Sequence, residues 1–177
     1  MKISNVGSVW GGRGWAVAGV VAALAMSSGG GVAASQGGSW KDLQGAWRIQ
    51  VTLRNCDTGA PLGPAFNSLV SFHEGGTLSE TTSSAAFAPG QRTPGHGTWE
   101  TLGHGTYTQK TIALIAFDTP AGFPVPPGFI AGASVVTHTV ELTDHDHLAS
   151  SGTNAFYRTD GTVYRTGCST AVGTRFE

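Results

Sequence analysis

Charge is scarce in this chain. Asp, Glu, Lys and Arg make up 12% of its 177 residues and the formal net charge is −1. There are two cysteines, Cys56 and Cys168. The longest apolar run, WAVAGVVAALAM at residues 15 to 26, is about a dozen residues long, whereas a bilayer needs about 20. Beyond it no window carries the i, i+3, i+4 spacing of an amphipathic helix. Also missing are a G-x-S-x-G nucleophile elbow, an HExxH zinc motif and a helix start that would turn a glycine-rich segment into a phosphate cradle. These absences remove the familiar hydrolase, zinc-peptidase and nucleotide-binding signatures, and no cofactor is expected.

What is present at the start reads as an address. Lys2 and Arg13 precede the apolar run, and SSGGGVAASQ follows it. A basic start, a short apolar centre and a small-residue exit form a secretory signal. The expected cut follows Ala34, with residues 1–34 as signal, 35–44 as a short lead and 45–177 as one domain. No cysteine stands directly after that cut, so a lipid-anchored form is not expected, and no twin arginine precedes the run. Of the 177 residues 143 remain, a single-domain length. Lys2 and Arg13 leave with the signal, so eight basic residues then face eleven acidic ones, a charge of −3. That balance argues against a nucleic-acid partner. The destination is secreted or periplasmic, with no stable membrane insertion after cleavage. In such an oxidising compartment Cys56 and Cys168 are expected to pair, and a loop this long contributes on the order of 4 kcal/mol by constraining the unfolded chain.

The rest of the chain alternates. GAWRIQVTLRNC (45–56) places Trp47, Ile49, Val51 and Leu53 on one face and Arg48, Gln50, Thr52 and Arg54 on the other. Similar runs broken by Gly, Pro, Asn and Asp predict strands at 46–54, 66–73, 77–83, 96–102, 105–117, 131–143, 147–157 and 162–176. HEGG, LGH and TDHD are tight hairpin turns, while DTGAPLGP, AAFAPGQRTPG and DTPAGFPVPPG are longer connections. In an up-and-down arrangement the tight turns gather at one end and the long loops, with the short RTDG turn, at the other. The fold expected is all-β: an eight-stranded antiparallel up-and-down barrel, shaped as a cup and closed by pairing the first strand with the last. Placing Cys56 opposite Cys168 sets the sum of opposed residue numbers at 224, which brings Trp47 diagonally beside Arg175 on one face and both cysteines on the other.

GAW at 45–47 opening the first strand, and TRFE at 174–177 closing the last, resemble the calycin superfamily of lipocalins, fatty-acid-binding proteins and avidins. The resemblance implies that Trp47 packs under Arg175 at the closed end, as structural residues. The sequence departs from each branch. It shows neither the helix after the barrel nor the TDY-type motif of lipocalins, nor the two helices after the first strand of fatty-acid-binding proteins, nor avidin's biotin-contacting pattern.

Alternation then nominates a lining. Val163, Arg165, Gly167, Ser169, Ala171 and Gly173 face inward on the last strand, and Val136, His138, Val140 and Leu142 on the sixth. The candidate ligand-binding residues are Phe66, Phe72, Trp99, Tyr107, His138, Phe156 and Arg165, aromatic walls with a few polar groups suited to a small hydrophobic or amphipathic molecule. Two other readings stand beside that one. His138, Tyr107 and Arg165 could serve an isomerase or cyclase by proton transfer and anion stabilisation. Alternatively, an eight-stranded barrel is narrow enough for its own side chains to fill it, leaving an envelope or interaction module without a ligand and His138 as a core histidine. The histidines and acids of the turns, among them His73, Glu74, His104 and Asp144 to His147, share one rim, but no ligand spacing links them and no metal site is expected. The facing of Glu80 and Glu100 stays open, as does the role of the proline-rich loop 118–129, lid or stiff crossover. The sequence sets no oligomeric state.

Overall fold

Strict alternation over seven to thirteen residues, with β-branched residues throughout, favours strands with one face covered. The computed structural model describes residues 42–123 and 128–176, and there the alternation yields eight strands. They are β1 (Gly45–Arg54), β2 (Phe66–His73), β3 (Thr77–Ser83), β4 (Gly95–Gly103), β5 (Thr106–Ile115), β6 (Gly132–Leu142), β7 (His147–Arg158) and β8 (Val163–Arg175). Each pairs antiparallel with its neighbour in sequence, and β1 pairs with β8, so the sheet is a closed barrel. Closure removes both sheet edges and with them the rows of unpaired backbone groups that edges expose. No helix occurs among the described residues. The signal-peptide reading of 1–34 and most of the 35–44 lead lie outside them.

The β1–β8 register differs from the expected one by two residues. Trp47 lies directly opposite Arg175, and Cys168 faces Arg54 rather than Cys56. The reason is that Cys56 has already left β1 for the turn that follows it, so the disulfide to Cys168 reaches diagonally along the ladder, with Cα atoms 5.3 Å apart. Parity is preserved by a two-residue shift, so the inward face of β1 is unchanged.

The tight-turn end is plugged. Trp47 and Leu43 are fully buried and lead a cluster with Phe72, Leu78, Tyr107, Val140, Leu142 and Leu148, which Ile49, Val70 and Ala171 continue upward. Trp47 donates its indole N–H to the Leu43 carbonyl at 2.9 Å. Over its outer face Arg175 donates to the carbonyls of Gln44, Asp42 and His145, at 2.6, 2.9 and 3.0 Å. Gly45 has φ +122°, and a Cβ there would come within 2.8 Å of the Arg175 guanidinium. The Gly-x-Trp that opens β1 is thus explained: the glycine leaves the space that the arginine occupies. His104 sits at φ 56° in the β4–β5 turn, a left-handed position that histidine tolerates better than most residues.

Candidate ligand-binding cavity

Above the plug, the inward side chains of β8 are small: Gly167, Ser169 and Ala171, with Gly173 below them against Ile49. They leave a cavity of about 910 Å³ that opens between the long loops. One wall is apolar, built by Ile49, Val51 and Leu53 of β1 and Phe66, Val70 and Phe72 of β2. The facing wall carries a polar belt: Gln109 on β5, Ser134 and His138 on β6, Ser150 and Asn154 on β7, and Ser169 on β8.

His138 is the centre of that belt and is 4% exposed. It pairs across the sheet with Gly152, which in turn pairs with Ser169. A Cβ at Gly152 would fall 2.6 Å from the imidazole Cδ2, so the glycine is what lets the ring lie across β7. Nε2 then reaches the Ser169 hydroxyl at 2.8 Å and Nδ1 the Ser150 hydroxyl at 3.1 Å. Burial pushes the His138 pKa down to about 4, so the ring is neutral at physiological pH. A neutral imidazole offers one donor and one acceptor, hence one serine donates to it and the other accepts.

The β3 side holds the buried ion pair. Glu80 faces inward and meets Arg92 through two contacts, Nη2 to Oε2 at 2.7 Å and Nη1 to Oε1 at 3.3 Å, both side chains 9% exposed. Ser68 donates to the same carboxylate at 3.1 Å, and Thr82 bonds it as well. Glu100, by contrast, is exposed. Arg92 belongs to the β3–β4 connection, whose neighbour Gln91 is fully buried and bonds Ala88, Phe117 and Thr119. These two residues fasten one mouth loop to the barrel and to the next loop. Across the mouth, Phe129 stacks on Phe87 at 4.3 Å and packs against Phe156 at 5.0 Å. Arg165 lies over the Phe129 ring at 4.8 Å and donates to the Gly128 carbonyl at 2.6 Å.

Five of the seven nominated residues, Phe66, Phe72, His138, Phe156 and Arg165, line the cavity. Trp99 and Tyr107 do not. Trp99 donates its indole N–H to the carbonyls of His73 and Thr77 and packs edge-on against Phe72 and Tyr107, half-buried against the base cluster. Tyr107 is buried beside Leu43 and Asp42; burial, then the Asp42 charge, raise its pKa. The structure therefore separates the trio His138, Tyr107 and Arg165 into belt, plug and mouth. Val163, expected to face inward, is 51% exposed because a register shift opposite Phe156–Tyr157 intervenes between it and Arg165. Residues 124–127 of the proline-rich loop lie outside the described residues. Sequence reasoning found His138 and Ser169 but missed Arg92, Gln91 and, of the polar belt, Ser134, Ser150 and Asn154. Serine, asparagine and glutamine at alternate strand positions signal an inward polar face only once neighbouring strands are in register.

At the plugged rim, His145 meets Asp146 at 2.5 Å and His147 meets Asp144 at 2.8 Å. Among the described residues no three His, Cys, Asp or Glu side chains are grouped to hold a metal ion.

This geometry defines a class: a closed eight-stranded antiparallel barrel with one plugged end and an amphipathic cavity, consistent with a calycin-like fold. No family model matches the chain, and no curated protein matches it.

Proposed function

We propose that this chain is an exported, calycin-like binding protein that carries a small, mainly apolar or amphipathic molecule inside the barrel. The observation that carries the reading is the cavity of about 910 Å³ with the β1–β2 face as its apolar wall, a size within the ordinary range for small-molecule sites. Phe66, Phe72, Phe156 and Phe129 supply contact area, while His138 and Arg165 add polarity at the middle and the mouth. Calycin membership rests on the barrel topology together with Trp47 under Arg175. Export is supported by the basic, apolar and small-residue order of residues 1–34 and by the disulfide. Among the described residues no helix is long and apolar enough to cross a membrane.

The test is a titration with N-phenyl-1-naphthylamine, a neutral fluorophore that brightens in apolar surroundings. Saturable uptake is expected, together with loss of at least about tenfold in affinity when Val136→Trp fills the wall. The variant's folding is checked by circular dichroism. Absence of saturable uptake by the parent chain overturns the reading. Mass spectrometry of protein from its own host is expected to show an N-terminus after Ala34.

A further inference from the structure

Among the described residues, three buried polar atoms in the cavity wall lack a hydrogen-bond partner: Gln109 Oε1, Ser134 Oγ and Asn154 Oδ1. All three residues line the cavity, and Ser134 is only 3% exposed. They are not scattered. Gln109 pairs with His138 across β5–β6, Asn154 pairs with Val136 across β6–β7, and Ser134 pairs with Phe156. On adjacent strands about 4.8 Å apart, they climb from the level of His138 to just beneath the mouth. Buried polar groups in folded proteins are nearly always satisfied, and a group left bare costs stability. The rest of the polar wall obeys this rule: His138 is held at both nitrogens, and Glu80 accepts from Arg92 and Ser68. Each bare atom belongs to a side chain that borders the cavity, so a turn of that side chain toward the space would bring it to a molecule held there.

The charges narrow the chemistry. Glu80 and Arg92 neutralise each other, and His138 is a neutral ring. Arg165 is occupied at the mouth by the Gly128 carbonyl and three aromatic rings, and Arg54 turns to the Thr170 hydroxyl. A buried carboxylate or ammonium set beside the belt would meet no free counter-charge among the described residues. A hydroxyl or carboxamide can both donate and accept, and so suits two amide oxygens and a serine.

Resting on the binding reading above, we infer that the cavity selects an uncharged amphipathic ligand, an apolar body bearing hydroxyl or amide groups that bond Gln109, Ser134 and Asn154.

Competition against bound N-phenyl-1-naphthylamine tests this with four probes of one chain length: decan-1-ol, decanamide, decyl methyl ether and decanoate. The alcohol and the amide are expected to displace the reporter at concentrations at least about tenfold below the ether and the carboxylate, since an unmet buried group costs about that much. Ser134→Ala alone, and Ser134→Ala with Asn154→Leu, are expected to shrink that preference stepwise, each judged against the reporter affinity measured for the same variant. Equal displacement by alcohol and ether, or an unchanged preference in both variants, overturns the inference alone. Strongest displacement by decanoate, its carboxylate placed at Arg165, overturns it too. If the reporter does not bind the parent chain, the binding reading fails and this inference with it.

Discussion

The Arg175 guanidinium lies 4.3 Å from the centre of the Trp47 indole, directly opposite it across the β1–β8 ladder. Its hydrogen bonds to Asp42, Gln44 and His145 tie the lead before β1, the β6–β7 turn and the end of β8 into one knot at the base. Arg175→Ala should therefore cost about 2 kcal/mol, combining a cation–π contact with several backbone bonds. Trp47→Ala should cost more, about 4 kcal/mol, because it empties the core of the plug. Urea unfolding followed by tryptophan fluorescence measures both, and equal stability of Arg175→Ala and the parent would show the knot to be dispensable.

His138 carries a pH dependence of definite sign. Its folded pKa, about 4, lies below its ordinary value of 6.5, so the unfolded chain takes up the proton more readily. The stability tied to the neutral ring is whole above about pH 6.5 and drains away as pH falls toward 4, by about 3 kcal/mol in all. His138→Gln, which preserves donor and acceptor, should flatten that part of the curve. Parallel urea midpoints from pH 7.5 to 4 check it, and superimposable slopes for the two proteins would refute the assignment.

Breaking the Glu80–Arg92 pair from one side should hurt more than removing it whole. Glu80→Leu leaves a buried guanidinium without its partner and is expected to cost about 3 kcal/mol. Glu80→Leu combined with Arg92→Met should recover most of that loss. Thermal denaturation of the two singles and the double closes the cycle, and additive losses would mean the two side chains are uncoupled.

The disulfide closes a loop of 112 residues at the mouth end. Cys56→Ser with Cys168→Ser is expected to lower stability by about 4 kcal/mol, or somewhat less if the open chain keeps residual structure. A reducing agent should lower the melting temperature of the parent chain but leave that of the double serine variant unchanged.

Much of the barrel was legible because each strand has one covered face. Trp47, Ile49, Val51 and Leu53 could be read as inward from alternation, and the same period identified Phe66 and Phe72 on β2 and His138 on β6. Register was harder. The cysteine pair fixed parity but misplaced the ladder by two residues, since a disulfide can join a strand to a turn as readily as two facing residues. Depth along the axis was not legible at all. Tyr107 and Phe72 both face inward and both belong to the plug, yet only Phe72 also reaches the cavity. Arg92 escaped notice because it sits in a loop, where alternation carries no information. Its partner Glu80 was visible as a strand acid but had no assigned side until β3 was set between β2 and β4.

If the vessel does take up an occupant as proposed, its foot is sealed among the described residues, so whatever goes in would come out by the same route and end for end. The tip that enters first would come to rest on Ile49, Val70 and Leu148, and the trailing part would stay near Phe129 and Arg165, all of which line the cavity. Escape is then paced by the rim, and substitutions around Phe87 and Phe129 should alter how long an occupant stays far more than how snugly its leading tip is seated.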